Sequence, residues 1–414
     1  MRGIGYTLIN LVNNISSDLR KRHKFVFYYY TDDNSDPLEL LDLDGLDYEV
    51  RPLVHPKRVH ARLPGKFHLV TKLLNKVISL SSMYLGDPRI TKTDGIDVFL
   101  QSDQMVYPPR GWGMKKVFIA YDLIPYVIEP EYLWNYKTAR FRGLPVQAAL
   151  RCAWRRQSYI HKLRVNSRRA DKILAISDTT RDDFIRYVRP SRSKIVTVPL
   201  GVNKPRELDD SQPEMHRYVD SSWGYLKRPF RFSKDMDYLL FVGGVDHRRK
   251  LGDLVIAFNH LRAQGKDLKL VLAGDILRGP DCIPIRSVQR ALKNSSYADD
   301  IIFMGFVDDE QRDWLYRNAL AFVFPSRYEG FGLPILEAFS YGCPVVCYPN
   351  HASKEVAGSH AWYASDAPEI HNMILKLMKS SASQLDKLRR SNKSLAEDYS
   401  WQKTVKEMFA EINK

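Results

Sequence analysis

FPSRYEGFGLPILEAFSYGCPVV, residues 324–346, carries the pattern on which the fold turns. LAFVFPS (320–326) reads as a buried strand, LPILEAFSYG (333–342) as a helix, and PVVCY (344–348) as the next strand. Pro334 suits the start of a helix, where its missing N–H is not needed, and Gly342 suits the end. In the loop between, Gly330 and Gly332 let the backbone approach a ligand closely. Free amides at a helix start favour an anion such as a diphosphate. Glu337, on the first turn, is a poor phosphate ligand but can accept hydrogen bonds from the two hydroxyls of a ribose. Glu329, in the loop, can do the same for sugar hydroxyls. The plainer alternative is a helix capped by nearby acids, with the glycines serving only the turn.

The α/β alternation continues on both sides. Downstream of residue 236, YLLFVGG (238–244), LKLVLAGD (268–275) and IIFMGFV (301–307) read as strands; LGDLVIAFNHLRAQG (251–265) and DDEQRDWLYRNA (308–319) read as helices. In the first half, residues 6–20 and 145–170 read as helices, the second of them basic. KFVFYYY (24–30), VFLQS (98–102), KVFIAYD (116–122), KILAIS (172–177) and KIVTVPLGV (194–202) read as strands. In SDTTRDDFIRYV, Ser177 or Asp178 can cap the helix that follows. Strands alternating with helices predict parallel sheets covered on both faces. The chain divides into two Rossmann-like, doubly wound α/β domains, 1–203 and 237–390, expected to face each other across a cleft. Residues 204–236 are polar, rich in proline and aperiodic, and read as a linker with an irregular insertion.

Further segments end strands where ligands bind in such sheets. FVGGVDHRRKLGDL runs from a strand into Gly243 and Gly244, then carries Arg248, Arg249 and Lys250 to a helix start. Cations there would neutralise a phosphate, although three adjacent charges also suit a solvated loop. Tyr121 and Asp122 end another strand, as substrate contacts or as a simple strand-end cap. Gly3 and Gly5 precede the first predicted helix, as a turn meeting a substrate or as a plain helix entry. Asp42-Leu-Asp44 and Asp235-Met-Asp237 do not end strands, so no metal site is expected at either.

The charge is uneven. Of the net +15, residues 1–203 carry +13 and residues 204–414 only +2, which points to a polyanionic partner for the first half. In RCAWRRQSYIHKLRVNSRR (151–169), Trp154, Tyr159 and Leu163 interleave with seven basic side chains, which fits an anionic membrane surface as well as a solvated helix face. The four cysteines lack metal-ligand spacing and suit free thiols in a reducing cytoplasm. Neither a signal peptide nor an apolar run long enough to span a membrane is evident, so a soluble or peripheral protein is expected.

Taken together, these segments resemble the retaining GT-B glycosyltransferases of the GT4 family. EGFGLPILE matches that family's E-x7-E signature. GIGYTLINLV, AYDLIPYVIEPEYL, ADKILAISDTTRDDF and IVTVPLGVN are similar to its acceptor-binding domain. FVGGVDHRRKLGDLVIAF and SKEVAGSHAWY are similar to its donor domain, and YSWQKTVKEMF to a terminal helix, within 391–414, that returns to the first domain. The resemblance implies a hexosyltransferase using a nucleotide-diphosphate sugar, GDP-mannose by subfamily likeness, with no metal or other cofactor. Glu337 would hold the donor ribose. Glu329 would meet the transferred sugar with the amides of Gly330, Phe331, Gly332 and Leu333. Arg249 and Lys250 would hold the diphosphate, beside Gly243 and Gly244. Gly3, Gly5, Tyr121 and Asp122 would lie on the acceptor side. The leaving phosphate would help deprotonate the acceptor on the retained face. The implied setting is surface polysaccharide or lipopolysaccharide biosynthesis on a glycan or lipid-diphosphate acceptor, at the cytoplasmic face of an inner membrane met by the basic first domain, with no nucleic acid.

Three departures stand out. Gly244 replaces an arginine common in the family, Tyr121 replaces a histidine, and Met1 falls almost on the first glycine loop, where a first strand is expected ahead of it. Two other readings compete: another GT-B enzyme, a phosphorylase or an epimerase, and a non-catalytic protein binding a polyanion or a membrane.

Overall fold

Residues 4–30, 38–53, 95–106, 113–128, 131–206, 211–222, 224–233 and 235–414 are described in a computed structural model of the chain. They form two compact units. The first takes residues up to Gly201 together with Trp401–Lys414. The second takes Val202–Ser400 and, from earlier in the chain, Glu131 and Tyr132.

In the first unit, β1 (Lys24–Tyr30) pairs in parallel with β2 (Asp47–Leu53). A second parallel sheet has the order β3 (Val98–Gln101), β4 (Lys115–Ala120), β5 (Lys172–Ala175), β6 (Ile195–Thr197). Phe118 and Ile173 from these strands bury against Ile160 and Leu163 of the helix Val146–Arg169 and against Phe184 and Val188. The helix expected over 6–20 is broken in two, Ile4–Asn13 and Ser17–Arg22. Ser16 stops a single helix there, because its hydroxyl caps the Leu19 amide and starts the second one. Gly5 therefore lies inside the first helical turn rather than in a loop before it, and Gly3 lies outside the described residues.

The helix Trp401–Asn413 closes this unit. Trp401 is buried edge-on to Tyr6 at 6.2 Å between ring centroids, Lys172 pairs with Glu411 at 2.7 Å, and Thr404 donates to the Pro199 carbonyl. The expected boundary at 391 falls inside the helix Ala382–Glu397, which belongs to the second unit; the chain enters the first unit at Trp401.

The second unit holds an eight-stranded sheet. Its strands are β7 (Met215–Ser221), β8 (Gly224–Phe230), β9 (Tyr238–Val242), β10 (Lys269–Ala273), β11 (Ile301–Gly305), β12 (Ala321–Phe324), β13 (Val345–Cys347) and β14 (Trp362–Tyr363), in the order β14-β13-β12-β9-β10-β11-β7-β8. From β14 to β11 every pairing is parallel, as unbroken apolar runs covered on both faces require. Leu239, Phe241, Leu270, Leu272 and Val323 bury against Leu254, Val255, Phe258 and Leu261 of the helix Leu251–Ala263. The order reverses between β9 and β12, which sets a crevice at their carboxyl ends.

Residues 204–236 are not simply a linker. Met215–Ser221 and Gly224–Phe230 form an antiparallel hairpin, and β7 extends the sheet beyond β11 through Phe303–Tyr218. Its charged, proline-containing strands suit an edge, where one face stays wet, and this hides the apolar period expected of a buried strand.

Gly342 ends the helix Leu333–Ser340 at φ +73°, and a Cβ there would press on the Arg389 carbonyl at 3.1 Å. Gly342→Ala should cost about 1–3 kcal/mol, the scale of a non-glycine residue held left-handed, as a lowered midpoint in urea unfolding. An unchanged midpoint would show that this turn relaxes freely.

Candidate functional site

The site is built at the reversal point of the second unit. β12 is wholly apolar and buried, and the chain leaves it at Ser326. Three loops are tied there by main-chain contacts. Arg327 N–H donates to the Arg248 carbonyl at 2.9 Å, joining the loops after β12 and β9. Asn350 Nδ2 donates to the Ser326 carbonyl at 2.7 Å, joining the loop after β13. Gly332, at φ +110°, turns the chain into the helix Leu333–Ser340 and accepts its first main-chain bond, from Ile335. Phe331 packs its ring edge-on against Tyr399, so its amide rather than its side chain is what the loop can offer a ligand.

Glu329 is the centre of the charge arrangement. Its Oε1 accepts from Ser326 at 2.9 Å and from Arg249 Nε at 3.4 Å; its Oε2 accepts from Arg248 Nη2 at 3.3 Å. Burial pushes its carboxyl pKa up, but the two guanidiniums and the serine outweigh burial and hold it below the usual value. Arg249 also donates to the Gly244 carbonyl and stacks on the Phe324 ring, 5.5 Å from its centroid. Gly243 permits this: at φ +141°, a Cβ would collide with the Arg249 guanidinium. Arg248 is held from behind by Asp246 at 2.8 Å, and Tyr132 donates to the same carboxylate.

Arg249 and Arg248 both stand at Glu329. Lys250, at a left-handed φ of 28° before the helix Leu251–Ala263, turns toward Glu131, 3.6 Å away. Arg327 meets the same carboxylate at 3.5 Å. Lys250 and Arg327 line a cavity of about 370 Å³ with Asp253, Tyr348, Asn350 and Ser365.

Glu337 lies in different company. Tyr316 donates to its Oε2 at 3.4 Å, and Arg312 is nearby. Burial dominates over Arg312 and raises its carboxyl pKa. The two signature glutamates are therefore opposite in character, one stabilised as an anion by cations, the other penalised.

Tyr121 and Asp122 end β4 in the first unit. The Tyr121 phenol is buried and burial raises its pKa, while its main chain is pinned by Gln104 and Thr180. Asp122 Oδ1 accepts from the Ile124 amide at 3.0 Å, which is a strand-end cap. Among the described residues no cluster of metal-ligating side chains occurs. Ser326, Asp246 and Tyr132 went unassigned in the sequence. Arg248 was visible in the basic triplet, whereas nothing local marks Tyr132, more than a hundred residues upstream of the loop it braces.

Residues 226–394 match the family model for glycosyl transferases group 1. The chain is 31% identical over 216 residues to O-antigen chain mannosyltransferase B of Escherichia coli, covering 51% of each chain. It is 24% identical to the serotype-specific mannosyltransferase WbdA of Escherichia coli over 63% of this chain and 29% of that one. The chain thus spans about half the length of the first of these relatives and less than a third of the second. Among solved structures, HepE of Anabaena in complex with UDP and glucose aligns over 99% of this chain and 95% of that one, with TM-score 0.59 and 14% identity. WaaG, a glycosyltransferase involved in lipopolysaccharide biosynthesis, aligns over the same shares with TM-score 0.60 and 14% identity. The chain has the GT-B fold of these proteins.

The contrast between the glutamates is measurable without any substrate. Glu329→Gln removes the anion that two buried guanidiniums share and should cost about 3 kcal/mol in unfolding free energy. Glu337→Gln removes a disfavoured charge and should leave stability unchanged or raise it. Equal losses would contradict the assignment. The pH dependence has opposite signs. With its folded pKa lowered, Glu329 stabilises fully above its unfolded value, near 4.3, and loses that contribution as pH falls through the folded value. With its folded pKa raised, Glu337 opposes folding increasingly as pH rises from the unfolded value through the folded one. Acid unfolding of wild type and Glu329→Gln should converge at low pH.

Proposed function

We propose that this protein is a retaining hexosyltransferase. It moves a sugar, mannose in the first instance, from a nucleotide-diphosphate donor to a glycan or lipid-linked acceptor in surface polysaccharide biosynthesis. The observation that carries the reading is the paired guanidinium cluster, Arg248 and Arg249 on Glu329, at the carboxyl ends of β9 and β12. Transfer from such a donor leaves a diphosphate whose negative charge grows as the glycosidic bond breaks. Two preorganised guanidiniums in a poorly solvated loop stabilise that charge more in the transition state than in the ground state. Each can grip phosphate oxygens through a planar fork. The helix start at Leu333 adds main-chain amides to the same end.

Glu329 keeps the two arginines aligned before the donor arrives and can then accept from hydroxyls of the sugar. Glu337, a half-buried carboxylate whose charged form burial disfavours, is relieved when ribose hydroxyls donate to it. Mannose is supported by the names of the two Escherichia coli relatives, and a nucleotide donor by the UDP that HepE binds. A lipid-linked acceptor would place the work at the cytoplasmic side of a membrane; among the described residues no helix is long and apolar enough to cross one. The charge stabilisation proposed here comes from arginines and amides, so no divalent metal is required.

The test is nucleotide release from a panel of nucleotide sugars with membranes or a lipid-diphosphate acceptor, with and without EDTA. GDP-mannose should turn over, EDTA should change the rate by less than about twofold, and the product should keep the donor's anomeric configuration by NMR. No release from any nucleotide sugar would sink the transferase reading, and collapse in EDTA would overturn its metal-free form.

A further inference from the structure

Lys250 stands in a backbone conformation that lysine adopts at a cost. Its φ of 28° is left-handed, where a Cβ crowds the main chain and glycine is the usual occupant. Among the described residues, Arg189 is the one other non-glycine with a positive φ. Strained positions of this kind cluster at ligand clamps. The cavity of about 370 Å³ that Lys250 lines is walled by the loops that follow β9, β12, β13 and β14. Small-molecule sites run from roughly 300 to 1,000 Å³, so this one suits a compact ligand.

Two cations at the cavity share one poorly matched partner. Glu131 Oε1 lies 3.6 Å from Lys250 Nζ and 3.5 Å from Arg327 Nη1. Both distances exceed the roughly 2.7–2.9 Å of a charge-assisted hydrogen bond. Among the described residues, its Oε2 is buried with no hydrogen-bond partner. The carboxylate balances the charge without satisfying either side. A phosphate monoester has three terminal oxygens and can give one to each cation. The helix Leu251–Ala263 starts at this wall, with Asp253 in its first turn, and its positive end adds to the pull on an anion. A phosphate ion alone would leave most of the space to water. Pro349 aside, the rest of the lining is polar. Asp253 accepts from the Tyr348 hydroxyl through Oδ2 and can take a further hydroxyl on Oδ1, and Ser365 adds a hydroxyl of its own. These are partners for the hydroxyls of a sugar.

We propose that Lys250 and Arg327 bind a phosphate monoester carried on a sugar. Asp253 and Ser365 meet the sugar hydroxyls, and Glu131 is the counter-ion that the phosphate displaces. A free sugar phosphate and the phosphorylated end of a glycan present the same group. Arg248, Arg249 and Glu329 take no part, so the proposal goes beyond the transferase reading and does not depend on it.

The test is titration calorimetry of the full chain with inorganic phosphate, mannose, mannose 1-phosphate, mannose 6-phosphate and a mannose trisaccharide bearing a terminal phosphate. Wild type should bind at least one phosphorylated sugar at least tenfold more tightly than phosphate or mannose. A trisaccharide that binds no better than the monosaccharide marks a free sugar phosphate as the ligand, and one that binds tenfold better marks a glycan end. Lys250→Gly and Arg327→Ala should each weaken that binding roughly tenfold. Glu131→Gln should strengthen it severalfold, because the competing charge is gone. Lys250→Gly also relieves the left-handed φ, so its midpoint in urea should not fall, which separates a lost ligand contact from a lost fold. No binding of any phosphorylated sugar by wild type, or undiminished binding by both cation variants, would overturn the proposal. So would loss of binding in Arg249→Ala with Lys250→Gly and Arg327→Ala unaltered, which would put the phosphate at Glu329 instead. Failure of GDP and UDP to bind wild type, with phosphosugar binding intact, would strike the transferase reading alone.

Discussion

One carboxylate shared by two guanidiniums organises the second unit. Glu329 is nearly out of contact with water, and a charge there is tolerated only because Arg248, Arg249 and Ser326 meet it. The reverse also holds, since two arginines this close would repel without the glutamate. With Asp246 also on Arg248, two guanidiniums meet two carboxylates at the crevice where the strand order reverses. Other features follow from keeping this cluster in place. Gly243 lacks a Cβ where the guanidinium folds over, Phe324 offers a ring for it to lie on, and Asp246 with Tyr132 braces the second arginine. Asn350 and Arg327 stitch together the loops that carry all of these.

The parallel sheet of the second unit was legible because β9, β10, β12 and β13 are short apolar runs bounded by glycine and polar turns. The β7–β8 hairpin was not, because an edge ribbon with one wet face has no apolar period to display. The split of the first helix turned on one serine, a cap within a segment whose periodicity runs on through it. Glu329 in the loop after β12 and Glu337 on the helix that follows stand where the strand–glycine loop–helix pattern puts them. Which of Arg248 and Lys250 faces Glu329 was not legible. It depends on how a three-residue turn points adjacent side chains, and the left-handed Lys250 sends its chain to Glu131 instead. Tyr132 belongs to a contact between distant parts of the sequence, which no local pattern encodes.

The two halves divide their labour by charge. The second unit is close to neutral, and in the loop after β9 Arg248, Arg249 and Lys250 each have a carboxylate partner. The first unit spreads an excess of cations over its surface, and along the stretch from Tyr132 to Ala170 no acid is present to pair with them. Internal pairing preorganises a site for one small anion.

The account stands most directly on which cations meet the nucleotide. Titration calorimetry of GDP and UDP against wild type, Arg248→Ala, Arg249→Ala and Lys250→Ala decides it. Each arginine variant should weaken binding of the preferred nucleotide roughly tenfold to a hundredfold, the scale of a lost charged hydrogen bond, while Lys250→Ala leaves the dissociation constant within about twofold. A large loss in Lys250→Ala with Arg248→Ala unchanged would contradict the account and return the diphosphate to the other side of the loop.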